Sequence, residues 1–439
     1  MTAGPLADLF ARAADALDPT AGTAAPDARD LLDSLGYAAG DAGAPHRAAL
    51  LRAAARLRRV FRLSAPDAPG LVFMGGEADP ASVGASPDHP LASLAGSGLS
   101  LAAAVERCVG EGIEYLSQVG AGQVAREPTA SRARLAALDQ ASVAFIRAVS
   151  HGSTDLAWIP ATRLSDGAPV AFPADLCVRR LAPDRDFTPP LKLGTGCAAG
   201  VSVAAATLHA LLELVERDAA SRWWRGGARG RLLALDGAAC RAAALLLARL
   251  REGADGRATW LLDISTDLAI PCVAAVSVKG DGRGLACGLA CRLTMAAAAE
   301  SAVFELCQME LGQVLAEAKR RERGEAGLND GDRGHLRRAT LIDATACPLL
   351  HPLPPTTAAH EDGETDPSPA LRTIVGRLEA AGIESYAVDL THPDLGVPVV
   401  RVLAPALQLD PCAIVTERLA ATIRRTGGGE AHTAGVALL

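Results

Sequence analysis

Three segments of this chain repeat one arrangement, and that arrangement restricts the fold more than any other feature. In each, a glycine turn leads into an Ala-rich helical stretch carrying an acid, followed three positions later by a second acid or an amide. Gly196 precedes Glu213 and Glu216, Gly288 precedes Glu305 and Gln308, and Gly98 precedes Glu111 and Glu114 at a shorter interval. The first two intervals are both 17 residues. Three copies of a pattern are harder to obtain by accident than one. A lone Glu-x-x-Glu carries little weight, because Glu is a good helix former. Here the acids stand among residues that belong inside, such as His-Ala-Leu-Leu-Glu-Leu-Val-Glu around Glu213 and Val-Phe-Glu-Leu-Cys-Gln-Met around Glu305. Carboxylates in such company must be paired, hydrogen-bonded or metal-bound.

Spacing of i and i+3 puts both side chains of a pair on one helix face, and His209 lies one turn before Glu213 on that face. If the three helices converge, five carboxylates and an amide meet, and their mutual repulsion calls for cations. Hard oxygen ligands favour Mg²⁺, which a few carboxylates hold together with substrate phosphates. The expectation is a magnesium–nucleotide site built on helices. The alternative is that the same glutamates pair with Arg107, Arg217 and Arg222. No Walker A, Gly-x-Ser-x-Gly or His-Glu-x-x-His sequence offers another chemistry. Gly194-Thr195-Gly196 lacks the dinucleotide fingerprint, so it reads as a tight turn or as phosphate-binding amides.

With 439 residues, nearly half of them apolar, the chain is long enough for a substantial core and an accessory piece. The net charge of −7 offers no basic field for nucleic acid or an anionic membrane surface. No apolar run reaches membrane-spanning length, and residues 1–20 lack a secretory signal, so a cytoplasmic protein is expected. The ten cysteines form no CxxC pair and read as reduced core thiols.

Residues 5–18 and 45–63 read as amphipathic helices, with linker character over 18–30. Helices are expected over Leu99–Gln118, Ala204–Trp224, Cys240–Arg251, Met295–Lys319 and Ala370–Ala381. Strands are expected over Leu71–Met74, Val143–Arg147, Trp260–Ile264, Cys272–Val278, Ser385–Leu390 and Val397–Leu403, which makes the class α+β or α/β. The Pro-, Thr- and acid-rich stretch 346–369 reads as an exposed loop.

The segment Gly194–Trp224 closely resembles the central segment of the YcaO family, with a Gly turn followed by His209, Glu213, Glu216, Arg217 and Asp218 in that order. Gly96 through Glu111, Glu114 and Tyr115 is similar to that family's first helix. Trp158–Pro160 through Pro173 and Ala174 is similar to its connecting strands, and Asp263–Pro271 and Gly396–Val402 to its later ones. The resemblance implies an α+β YcaO-type ATP-binding fold, with helices bearing Glu-x-x-Glu and Glu-x-x-Gln packed on mixed β-sheets. It implies a catalytic domain over 67–439 with a helical N-terminal extension over 1–66. The implied metal ligands are Glu111, Glu114, Glu213, Glu216, Glu305 and Gln308, and the implied catalytic residues are Glu213, Glu216 and Arg217. Ser97, Lys192, Thr195, Gly196, Arg217 and Arg292 are the implied nucleotide contacts, with ATP and Mg²⁺ as cofactors. The implied reaction phosphorylates a backbone amide oxygen of a ribosomally made precursor peptide, giving an azoline, thioamide or amidine. A partner protein, leader-binding or TfuA-like, is expected, and a homodimer is a further expectation.

The sequence departs from the family's pattern at Val201, where many members carry Asn, at Ala205 in place of Glu, at Ser301 in place of Arg, and at Ser97, where Lys is frequent. Weaker ATP binding and some use of GTP are therefore expected. The Ala-Gly-Val-Ala-Leu-Leu end differs from the Pro-x-Pro-x-Pro tail of many azoline-forming relatives, which weakens the azoline assignment. Three rival readings remain open. They are a non-catalytic peptide-binding relative, a carboxylate-based metal hydrolase active without nucleotide, and a housekeeping member acting on ribosomal protein.

Overall fold

The computed structural model describes residues 5–18, 25–120, 125–126, 131–153, 155–235, 237, 240–355 and 366–438. Three short helices come first, α1 (Pro5–Ala16), α2 (Pro26–Leu35) and α3 (Ala44–Ala54). Strands β1 (Arg59–Leu63), β2 (Val72–Ala78) and β3 (Ala92–Gly98) then lead into α4 (Leu101–Gly120). Next are β4 (Ala125–Arg126), α5 (Ser131–Ala136), α6 (Gln140–Val149), β5 (Ala157–Arg163), β6 (Pro169–Pro173) and β7 (Cys197–Ala199), which enters α7 (Val203–Trp224). After β8 (Arg231–Leu233), α8 (Arg241–Arg251), β9 (Arg257–Asp263) and β10 (Cys272–Lys279), β11 (Ala286–Cys291) enters α9 (Met295–Arg323). The chain closes with α10 (Asp330–Leu341), α11 (Pro367–Ala380), β12 (Tyr386–Asp389), β13 (Val399–Leu403), α12 (Glu417–Thr426) and α13 (Glu430–Thr433).

The strands form three sheets, ordered β1-β2-β3, β11-β10-β9-β8 and β4-β5-β12-β13-β7, with β6 on β5. Every ladder between these strands is antiparallel, where mixed sheets were expected. Each sheet ends in an edge strand, β3, β7 or β11, that runs directly into one of the three long helices. Strand β10 shows how tightly the layers close. Its Cys272, Ala274, Val276 and Val278 pack into the cluster around α7, and its Val273 and Ala275 into the cluster around α8 and α9. A strand covered on both faces reads as an unbroken apolar run because successive side chains alternate faces.

Helix α7 is buried almost all round, so its polar groups need partners. Trp223 and Trp224 donate their indole N–H to the carbonyls of Leu349 (3.0 Å) and Val436 (2.7 Å). Asp218, fully buried, accepts from Arg418 at 2.9 and 3.1 Å and from the Gln408 amide at 2.9 Å. This satisfies the charge away from the acidic pair one turn earlier.

Three expectations need correction. Val143–Arg147 lies in α6, where Asp139 caps the helix by accepting from the amides of Ala141 (2.9 Å) and Ser142 (3.3 Å). A five-residue apolar window cannot separate helix from strand. The helix expected over 45–63 ends at Ala54, and Arg59–Leu63 pairs with β2 instead. Residues 26–30, taken as linker, start α2, while residues 19–24 of that stretch lie outside the described residues. The loop expected at 346–369 is described only in part, since 356–365 also lie outside them. All ten cysteines are buried and free, as expected for core thiols. Among the described residues no helix is long and apolar enough to cross a membrane.

Candidate active site

Each long helix starts from a hydroxyl cap. Ser100, Ser202 and Thr294 each accept from the backbone amide three residues on, all at 3.2 Å. In all three helices the first acid lies eleven positions after the cap, at Glu111, Glu213 and Glu305, and the second residue fourteen after, at Glu114, Glu216 and Gln308. At 100° per residue, eleven residues make about three turns, so all three pairs share one register relative to their own strand. The hydroxyl caps were legible in the sequence and are a sharper signal than the glycines. The strand position that pairs with Glu111 is Ala95, not a site near Gly98.

The hydrogen bonds close a ring. The first acid of each helix accepts from an amide in, or immediately before, the strand that precedes it: Glu111 from Ala95 in β3 (2.6 Å), Glu213 from Gly196 one residue before β7 (2.9 Å) and Glu305 from Leu289 in β11 (3.0 Å). The second residue reaches the next unit. Glu114 accepts from Ala199 in β7 (2.8 Å) and Glu216 from Cys291 in β11 (3.1 Å), while Gln308 donates to the Ser97 hydroxyl in β3 (2.7 Å). Each of the three helices is thus tied to its own edge strand and to its neighbour's. At Gly288 the approach leaves no room for a side chain, since a Cβ there would lie 2.1 Å from the Leu306 amide nitrogen.

All six residues line one cavity of about 780 Å³. Ser97, Arg107, His209, Arg217 and Arg292 line it too, as do His46 and Leu50 from α3. Arg217 bonds Glu213 at 3.3 Å and approaches Glu216 at 3.5 Å, and its Nε and Nη1 are buried with no hydrogen-bond partner. Arg107 lies 5.1 Å above the Phe304 ring and donates to the Ser97 carbonyl. The expected ion pairing is therefore realised only at Arg217. Arg222 pairs instead with Asp218 and Asp267.

The six residues share the cavity without forming a ready-made cage: among the described residues no three acidic, His or Cys groups gather closely enough to enclose a metal unaided. Each glutamate commits one oxygen to a backbone amide, and Gln308 keeps its carbonyl oxygen free. Hard oxygen donors left with spare capacity suit Mg²⁺, which takes a few carboxylates and completes its shell with phosphate oxygens. The unpartnered nitrogens of Arg217 suit the same anionic phosphates. The donor set fits a magnesium–nucleotide pair.

Electrostatics agree. Burial raises the carboxyl pKa of Glu114 to about 8, and burial reinforced by Glu216 does the same for Glu305. Glu111 reaches solvent through the cavity but sits deep among protein atoms, and desolvation raises it to about 7. Burial also raises Glu216. For Arg217, burial lowers the pKa, and Glu216, Glu213 and Glu305 more than offset it. Burial, aided by Arg292, holds His209 below its usual value and so favours the neutral ring.

The remaining expected contacts separate. Three amides of the glycine turn are already taken, since Thr195 donates to Lys192 O (3.1 Å), Gly196 to Glu213 and Cys197 to Gly194 O (3.0 Å). Gly196 adopts φ +76°, a conformation glycine tolerates, and from it orients Glu213. Lys192 lines a neighbouring cavity of about 670 Å³ with Arg225 and Asp410. Val201 lines the main cavity and is 66% exposed, whereas Ala205 is buried within α7. Sequence reasoning missed His46, Glu106, Arg107 as a wall residue, and Phe304.

Residues 95–408 match the family model described as YcaO cyclodehydratase, ATP- and Mg²⁺-binding. The chain is 28% identical over 337 residues to an uncharacterized protein in the tfuA 3′ region of Rhizobium leguminosarum bv. trifolii, covering 73% of this chain and 78% of that protein. It is 28% identical over 286 residues to an uncharacterized protein of Methanothermobacter thermautotrophicus, covering 62% and 71%. Among solved structures it superposes on a heterocyclase in complex with substrate and cofactor with a TM-score of 0.64 at 22% identity, covering 85% of this chain. It spans only 53% of that heterocyclase. It also superposes on YcaO from Methanopyrus kandleri bound with AMPPCP and Mg²⁺, with a TM-score of 0.55 at 18% identity, covering 80% and 86%. At these identities the superpositions show a shared fold. The family match, spanning most of the chain and all six ring residues, places this protein in the YcaO family of ATP- and Mg²⁺-binding proteins.

Proposed function

We propose that this chain activates a backbone amide of a ribosomally made peptide by phosphorylating the amide oxygen. The observation that carries the reading is the closed ring of three helices, which turns five carboxylates and one amide toward a single cavity with Arg217 among them. Bound MgATP supplies the phosphoryl group that makes a poor leaving oxygen a good one. Glu111, Glu114, Glu213, Glu216, Glu305 and Gln308 hold the metal, and Arg217, Arg292 and Arg107 face the phosphate charge. A thiol, hydroxyl or sulfide adds to the amide carbon. The resulting oxyanion takes the phosphoryl group as the bond to ADP breaks, and phosphate then leaves. Loss of the amide N–H proton gives an azoline, and restoring the carbonyl-type bond to sulfur gives a thioamide.

The relative beside tfuA supports a TfuA-like partner and, with it, the thioamide branch. The division into an extension over 1–66 and a catalytic domain over 67–439 belongs to this proposal, with α3 of the extension lending His46 and Leu50 to the cavity wall. The test is mass spectrometry of the peptide encoded beside this chain's gene after incubation with ATP, Mg²⁺ and the partner. A loss of about 18 Da marks cyclodehydration and a gain of about 16 Da marks thioamidation, because the activated oxygen is either eliminated or replaced. Metal-dependent hydrolysis without nucleotide would sink the proposal.

A further inference from the structure

The carboxylates are reachable from more than one direction. A second cavity, of about 420 Å³, shares Glu111, Glu114, Glu213 and Cys197 with the main one but is otherwise walled by different residues, among them Leu91, Ser93, Tyr115, Gln118 and Arg179. These shared carboxylates form a septum between the two. A third hollow of about 440 Å³ shares Gln118 and Arg179 with the second and continues past His89 and Leu181. Together the second and third make a trough that ends at the carboxylates.

Arg179 stands where the two hollows of the trough meet. Its Nε donates to Gln118 Oε1 (2.9 Å), and Gln118 Nε2 donates to the Leu193 carbonyl (2.6 Å). The guanidinium lies 5.0 Å above the Tyr115 ring, and Tyr115 is itself fixed by its hydroxyl on the Pro90 carbonyl. Its neighbour Arg180 is neutralised by Asp175 (3.1 Å) and Asp186 (3.3 Å), whereas Arg179 has no carboxylate partner among the described residues. Its two terminal nitrogens make no hydrogen bond there either. A guanidinium held rigid through one nitrogen, with both others free beside a cavity, is set to donate to a carbonyl or carboxylate oxygen.

Phosphoryl transfer sets the attacking and leaving oxygens roughly in line on opposite sides of phosphorus. A nucleotide held in the main cavity by Mg²⁺ on the carboxylates and by the arginines therefore leaves the attacking oxygen to arrive from elsewhere, and the trough meets the same carboxylates. Resting on the function proposed above, we infer that the trough admits the peptide in extended form, and that Arg179 positions it by donating to a carbonyl oxygen flanking the reacting amide. Arg179 is a positioning and specificity residue, distinct from the metal and nucleotide ligands.

The experiment measures binding and turnover separately. Anisotropy of the fluorescein-labelled peptide encoded beside this chain's gene gives peptide affinity, and calorimetry with AMPPCP and Mg²⁺ gives nucleotide affinity. The variants are Arg179→Gln, Arg179→Lys and Ser93→Trp, the last filling the trough from an exposed strand position that a Trp can occupy without disturbing the core. The expected result is at least tenfold weaker peptide binding for Arg179→Gln and Ser93→Trp, partial recovery in Arg179→Lys, and nucleotide affinity within twofold of the unaltered protein. In turnover, KM for the peptide rises while kcat changes less. Peptide affinity unchanged in both variants, no peptide binding by the unaltered protein, or a parallel loss of nucleotide binding would each overturn the trough. Weakened binding with no mass change in any peptide would keep the trough and overturn amide activation.

Discussion

Two residues past Gln308 on α9, Glu310 sits in a buried ion network beneath the third acid–amide pair, and removing its charge has a calculable cost. The Glu310 side chain is 1% exposed, accepts from Arg251 at 2.5 and 2.7 Å and from the Ser277 hydroxyl at 2.5 Å, and pairs with Arg257 at 3.1 Å, whose Nε donates to Ser277 Oγ (3.0 Å). Arg257 and Arg251 are themselves only 3% and 10% exposed. Glu310→Gln keeps the shape but leaves two buried guanidinium groups with Asp67, 3.6 Å from Arg257, as their remaining acidic neighbour. Removing one partner of a buried ion pair typically destabilises by about 3–5 kcal/mol, mostly through the uncompensated charge left behind. At about 1.4 kcal/mol per decade, opening of α9 becomes roughly a hundredfold to several thousandfold more frequent. Hydrogen exchange read by mass spectrometry over Met295–Arg323 measures this directly, because local opening sets the rate. Amides around Glu310 are expected to exchange at least a hundredfold faster, with α1 and α11 unchanged and Mg²⁺–nucleotide affinity reduced. Replacing Glu310, Arg251 and Arg257 together with Met should restore part of the protection, since an apolar set of similar volume removes the unpaired charge. Acceleration below tenfold in Glu310→Gln would refute the assignment of α9's anchorage to this network.

Glu213→Gln and Glu216→Gln should each abolish most ATP-dependent turnover while leaving the circular dichroism spectrum unchanged, because each removes ligand charge without opening a void; unchanged phosphate release would contradict this. The raised carboxyls of Glu114 and Glu305 fix the sign of a pH effect. The native state holds their protons above the unfolded value near 4.5, so the metal-free protein should lose stability as pH rises from about 4.5 toward about 8. The Tm gain on adding Mg²⁺ and nucleotide should correspondingly be larger at pH 8.5 than at pH 6, and a gain that shrinks with pH would reverse the argument. Gly288→Ala would set a Cβ 2.1 Å from the Leu306 nitrogen and 2.2 Å from the Ala302 carbonyl oxygen, both backbone atoms. Overpacking of this kind costs about 1–3 kcal/mol, visible as an earlier urea midpoint. Val201, apolar and exposed at the main cavity, offers a base no hydrogen bond, so measurable turnover with GTP beside ATP is expected, and strictly ATP-dependent turnover would show that other groups select the base.

The elements that carry the site were legible in the sequence because their determinants are local. Apolar periodicity and Ala-rich turns mark α4, α7 and α9 to within a few residues of their ends, and the acid pairs stand in a register set by Ser100, Ser202 and Thr294. The family resemblance and the six residues proposed as ligands came from the same stretches, and all six line one cavity. What the tertiary structure decided was every partner chosen across the chain. Strand β7 is only three residues long and is a strand because β13 pairs with it. Arg59–Leu63 carries an Arg-rich pattern that also suits a helix, and pairing with β2 makes it extended. Which group each second residue reaches could not be read from spacing, because Glu114 and Ala199 lie 85 positions apart, Glu216 and Cys291 75, and Gln308 and Ser97 211. The same holds for the turn at Thr195 and Gly196, whose amides look free for phosphate until Glu213 takes one of them, and for Arg179, whose place beside the carboxylates depends on Gln118 and Tyr115 one helix away. Helix register is set by bonds four residues long, whereas the ring is set by bonds between units that meet only when the three edge strands pack together.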